Sequence, residues 1–161
     1  MRTLTALAVT IFLAQTMVAQ ELNRLGLPNP EKPDVLYLIH GNTLVELESV
    51  DAGEEEIKNE LRFWVAGTTS NARTPLAGPE FLLEWVELDP ADLRLYAFKV
   101  VKGRREILYR KKKKVVARPF FLDIERIGGK VLRIRVNGSL PPGEYGLTPQ
   151  GRNDVFCFTV F

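Results

Sequence analysis

Two carboxylates two positions apart, Asp123 and Glu125, are the first residues whose spacing suggests chemistry. On a strand they would lie roughly 6.5 Å apart along the chain direction, a spacing that could suggest glycosidase chemistry. Alternation in the following strand sets Arg133 and Arg135 opposite them. Arginine neighbours keep carboxylates ionised and leave no general acid, so the four residues read as routine cross-strand pairs. His40 stands with Gly41 and Asn42 in a turn, with no Ser or Cys motif beside it, and reads as a turn histidine rather than a general base. No Gly-x-Ser-x-Gly elbow occurs, which removes the usual hydrolase nucleophile. Gly128 and Gly129 lack the surroundings of a phosphate-cradling loop. Cys157, between Phe156 and Phe158, has the setting of a buried structural thiol. One Cys and one His allow neither an internal disulfide nor the common transition-metal sites. The expectation is no catalytic set, no metal and no cofactor.

Charge is the second source of chemistry. Residues 20–92 carry 15 acids against 5 bases (net −10), and residues 93–161 carry 5 acids against 16 bases (net +11). The densest part, Lys99 to Arg118, holds ten bases and the single acid Glu106. Lys102, Arg104, Arg105, Arg110 and the run Lys111, Lys112, Lys113, Lys114 are the anion-binding candidates. Three readings stand. The segment docks an anionic surface, a lipid headgroup or an acidic glycan. It is a solvated basic edge that blocks strand-on-strand aggregation. Or it pairs internally with the acidic stretch Glu46 to Glu60. Four consecutive lysines in a strand would point to both faces, so a loop or sheet edge suits them better. Nucleic acid is not expected: Tyr96 and Tyr109 are too few for a base-stacking platform, and export would separate the chain from it.

The elements that must position these residues begin after a leader. Arg2, the apolar run Leu4 to Ala14 and small residues up to Ala19 have the form of a secretory signal peptide over 1–19. The run is too short for a good spanning helix, and no transmembrane span is expected in the mature chain. Residues 20–34, with Pro28, Pro30 and Pro33, predict an extended lead-in that holds the domain away from what precedes it.

Residues 35–161 read as about nine short strands with no convincing long helix. The candidate runs, ten in all, are Val35–Ile39, Leu44–Val50, Glu60–Ala66, Phe81–Leu88, Leu93–Val101, Glu106–Tyr109, Val115–Ile127 and Lys130–Val136 flanking Gly128 and Gly129, and a final pair Glu144–Leu147 and Val155–Phe161. Glu54 to Leu61 could instead form two helical turns, since Ile57 and Leu61 are four apart; Phe63, Trp64 and Val65 favour the strand. The polar connection Ala66 to Glu80 suits recognition or a mobile loop, and Asn137, Gly138 and Ser139 read as a turn. A three-residue loop at Gly128 to Lys130 keeps the apolar sets of its two strands together, with Glu125 facing Arg133 and Asp123 facing Arg135. Such spacing predicts an all-β chain, a single antiparallel sandwich or barrel.

The C-terminal stretch Leu140, Pro141, Pro142, Gly143, Glu144, Tyr145 leads into Phe156, Cys157, Phe158 and the end at Phe161. It resembles the last two strands of immunoglobulin-like sandwiches. More narrowly, it is similar to secreted bacterial proteins with a Pro-Gly-Glu-Tyr strand followed by a Phe-x-Phe strand. The resemblance covers about 22 residues, Leu140 to Phe161. It implies a sandwich with Tyr145 as the structural corner, its hydroxyl bonded to backbone upstream, and an envelope setting. The functional expectation is an exported, periplasmic or extracellular, non-enzymatic interaction or structural module, with an envelope protein as partner. The alternative is docking of an anionic surface through residues 99–118. A hydrolase is the least supported reading.

Overall fold

The computed structural model describes residue 20 and residues 22–161. The expected leader over 1–19 lies outside the described residues. The strands run β1 (Leu36–His40), β2 (Thr43–Glu46), β3 (Glu48–Asp51), β4 (Gly53–Ile57) and β5 (Glu60–Ala66). Next come β6 (Arg73–Thr74), β7 (Glu80–Glu84), β8 (Leu93–Val101), β9 (Arg104–Lys111) and β10 (Lys114–Val115). The last four are β11 (Leu122–Gly128), β12 (Val131–Val136), β13 (Gly143–Pro149) and β14 (Asp154–Val160). One turn of 3₁₀ helix, Pro90–Asp92, precedes β8, with the Asp89 carboxylate accepting from the Ala91 N–H at 2.9 Å.

One sheet has the order β11-β12-β7-β1-β2 and the other β3-β14-β13-β8-β9-β5-β4, with β6 and β10 attached to β14 and β9. The chain is an all-β sandwich. Within it, β1-β7-β12-β11 facing β14-β13-β8 is the strand order of an immunoglobulin sandwich. Strands β2 to β6 are then an insertion between its first two strands.

Alternation explains the layering. Phe156, Phe158 and Val160 of β14 enter the core between the sheets beside Leu36, Leu38, Phe81, Leu83, Leu95, Ile134 and Leu147. Val155 and Cys157, on the opposite face of β14, join Val65, Val50, Ala52 and Phe98 in a second cluster. A strand buried on both faces reads as a continuous apolar run, as Val155–Phe158 does.

The second cluster exists because the larger sheet curls. Only Ala52 separates β3 from β4, yet they stand at opposite ends of the strand order. The bent segment β3–β4 therefore joins both edges and turns the sheet into a barrel-like cup, which hides edges that would otherwise be exposed. The tight turn of β4 into β5 has positive φ at Lys58 and Asn59, the backbone of a type I′ hairpin. The helical alternative for 54–61 is thereby excluded. Gly53 lies against the Trp64 indole, where a Cβ would overlap the ring. The wall is open between β8 and β9, which pair only over Lys99–Val101 and Arg104–Glu106. Residues 116–120 bridge that gap: Val116 N–H donates to Tyr109 O at 2.9 Å and Phe120 N–H to Leu95 O at 2.8 Å.

Two segments differ from expectation. The lead-in does not hold the domain at a distance. Leu22 is buried against Leu82 and Val131, with Leu27 beside them, because Leu82 and Val131 are apolar on the otherwise charged outer face of β7 and β12 and need a cover. The 66–80 connection is a plug rather than a mobile loop. Ser70, Ala72 and Thr74 are buried, β6 pairs in parallel with β14, and the Thr159 N–H donates to Ala72 O at 2.9 Å.

Candidate functional site

The cup has a closed end and an open end, and inward alternation decides which residues reach each. Arg105, Ile107 and Tyr109 of β9 and Arg94, Tyr96 and Phe98 of β8 are the inward series. At the closed end Arg105 is 1% exposed. Its guanidinium bonds Ser70 Oγ, donates to Ala66 O at 2.8 Å, and pairs with Glu48 at 3.3 Å and Glu144 at 3.8 Å. Glu144 also accepts from Ser70 Oγ at 3.0 Å and Thr159 Oγ1 at 2.7 Å. The 66–80 plug supplies Ser70, so the polar loop satisfies a charge that would otherwise be costly to bury.

The open end holds a cavity of about 430 Å³. Its floor is Phe98, Val155, Ala52, Ile107 and Gly146. Gly146 is required there, because a Cβ would sit 2.6 Å from Phe98 and 2.7 Å from Val155. Phe63 and Tyr109 form one wall, edge to face at 5.6 Å, and Tyr96 another. Burial pushes the Tyr96 hydroxyl above its ordinary range, with Tyr109 adding and Arg94 opposing, so it stays a protonated donor. The rim carries Arg94, Thr148, Gln150, Arg152 and Glu54. A second recess of about 530 Å³ lies behind the open wall and shares Tyr96, Phe98 and Ile107 with the first.

Half of the basic candidates are neutralised from within. Arg104 pairs with Glu55 at 2.8 Å and Glu106 at 3.1 Å, Arg110 with Glu56 at 3.4 Å, and Lys111 with Glu60 at 3.2 Å. Arg62 joins Glu60 and Glu106 to the same row at 2.7 and 3.0 Å. The inserted acidic hairpin thus lies alongside β9, which realises internal pairing, one of the three readings of the charge pattern. Arg105 is corrected as an anion-binding candidate: it is buried and already bound to two carboxylates. Among the described residues, Lys102, Lys112, Lys113 and Lys114 form no ion pair. Lys112 and Lys113 make the β9–β10 turn, and the Lys112 N–H donates to Asn59 O at 2.6 Å. The two hairpin turns therefore abut, and Lys58 joins the free lysines.

The other candidates fall elsewhere. Asp123 and Glu125 lie opposite Arg135 and Arg133 in register. Glu125, however, pairs diagonally with Arg135 at 3.1 Å, while Arg133 turns to Glu80 on β7. The hairpin needs a bulge between Arg126 and Gly128 to keep that register. His40 is exposed at its turn and accepts from Thr43 Oγ1 through its carbonyl at 2.8 Å. Burial pushes the Cys157 thiol up to about 12, Arg105 opposing and Glu48 and Glu144 adding; it is unionised near neutrality. The Tyr145 hydroxyl donates to Pro141 O at 2.6 Å. No group of three or more metal-ligating residues occurs among the described residues. No helix there is long and apolar enough to cross a membrane.

Sequence reasoning missed Arg94, Tyr96, Phe98, Phe63 and Glu54 as one site. The alternation Arg94, Tyr96, Phe98 was visible in the sequence, but it identified a wall only once β3–β4 folded the sheet round it. No family model, curated protein or solved structure matches the chain.

Proposed function

We propose that this protein is an exported, non-enzymatic binding module of the bacterial cell envelope. The observation that supports it best is the insertion, which bends a flat sandwich sheet into a cup with an aromatic-walled cavity at one end. Such a cavity, apolar with a few polar groups at its rim, suits holding a ligand. The residues weighed for catalysis lie away from the cavity or are inert: Asp123 and Glu125 lie on an outer strand, and Cys157 keeps its proton. Recovery from a bacterial host tests the reading in two ways. Mass spectrometry of envelope protein is expected to find a chain shortened by the leader, near residue 20; a cytosolic chain that keeps Met1 overturns export. Glycan and ester substrates are expected to show no turnover; turnover lost in Asp123→Asn or Glu125→Gln overturns the non-enzymatic role.

A second reading is docking of an anionic surface, narrowed to the abutting turns. Lys58, Lys112, Lys113 and Lys114 gather there beside exposed Ile57 and Val115, a mixture of cations and aliphatics that suits a lipid headgroup region. Each lysine near an anionic membrane contributes about 1 kcal/mol. Binding to phosphatidylglycerol vesicles that weakens with salt and with Lys112→Ser, Lys113→Ser and Lys114→Ser favours it. Salt-insensitive or absent binding overturns it.

A further inference from the structure

We infer that the cavity at the open end of the cup binds an amphiphilic carboxylate of medium chain length, with its head at Arg94 and its chain between Tyr96, Phe98, Phe63 and Tyr109. This deepens the binding-module reading and rests on it.

The head group follows from charge. Arg94 donates to Ala91 O at 2.7 Å, Leu93 O at 2.8 Å and Gln150 Oε1 at 3.1 Å. All three acceptors are neutral, so the guanidinium is fixed in place with its charge uncompensated. The other arginines of the cup differ: Arg105 has Glu48 and Glu144, and Arg152 has Asp154 at 2.7 Å. A guanidinium presents five donors, and three contacts leave capacity for a carboxylate in a charge-assisted bond. Glu54 stands across the mouth, since the bent β3–β4 segment, taken as one strand, is three strands from β8 either way round the cup. Its charge repels an anion and confines the head to the Arg94 side.

The tail follows from the floor. Ile107, Val155, Ala52 and Phe98 are apolar, and behind them Arg105, Glu144, Ser70 and Thr159 close the far end. A chain can enter but not pass through. At about 30 Å³ per water-sized group, 430 Å³ accepts roughly fourteen such groups, enough for a carboxylate and a chain of about ten carbons.

Decanoate and decanol, each below its aggregation concentration, test this by calorimetric titration of the leaderless chain, with ¹⁵N spectra to locate the contact. Decanoate is expected to bind at least tenfold more tightly than decanol and to shift the amides of Tyr96–Phe98 and Gly146–Asn153. Arg94→Gln is expected to remove that preference, Arg94→Lys to keep part of it, and Glu54→Gln to tighten decanoate. Equal affinity for the two ligands, or no binding by the wild-type chain, overturns the inference, and neither result depends on a variant folding. A chain that binds decanoate but is never exported would defeat the envelope reading alone.

Discussion

Asp34 illustrates how one side chain can fix the course of the backbone. Its φ of 55° lies in the left-handed region, which Asp and Asn tolerate better than other residues with a Cβ. Its carboxylate accepts from the N–H groups of Val86, Glu87 and Leu88 at 2.8–3.1 Å. Partial burial opposes ionisation, but these three donors prevail and hold the carboxyl below its usual range. A depressed folded pKa stabilises the fold above the unfolded value, about 3.9, and that stability is lost as pH falls through the folded pKa. Asp34→Asn keeps the backbone and removes the charge. It is expected to cost about 1 kcal/mol at neutral pH, the difference between charged and neutral acceptors. In urea melts the gap between variant and wild type should close as pH drops below about 4; a gap that persists there would rule out the carboxylate as its source.

At the level of elements, Gly146 sets how closely β13 and β8 can share the cup interior. With Phe98 and Val155 both within 2.7 Å of a would-be Cβ, Gly146→Ala must displace a ring in a filled floor. The expected loss is about 1–3 kcal/mol, as for other overpacked cores, together with a smaller cavity. An unchanged urea midpoint would show that the floor is loose. Strands were the part of the fold most legible in the sequence. β5 and β8 coincide with the runs Glu60–Ala66 and Leu93–Val101, because alternation and turn residues bound both ends. The register of β11 with β12 was also legible, since a slip would expose Ile134. Less legible was the stretch Val115 to Ile127, which breaks into β10, a bridge and β11. Its irregular part answers to a gap between β8 and β9 that no local pattern announces. The closure through Ala52 was not legible either, because one small residue between two acidic strands carries no sign that it joins opposite edges.

For the whole molecule, the decisive feature is that β14 serves two interiors. Phe156, Phe158 and Val160 anchor the sandwich while Val155, Cys157 and Thr159 line the cup, so neither interior can be opened without disturbing the other. The acidic insertion is likewise bound to the basic half by ion pairs along β4, β5 and β9, which ties together the two oppositely charged stretches of the chain. Sandwich and cup should therefore unfold as one unit. Cys157 reports on this directly, because its thiol, with a pKa of about 12 and 0% exposure, cannot react until β14 is uncovered. Labelling with a disulfide reagent at pH near 8, under conditions where reclosing outpaces reaction, yields the free energy of that opening. It is expected to equal the global value from urea unfolding. A labelling free energy well below the global one would mean that the cup opens on an intact sandwich, with β3–β5 a separately unfolding flap.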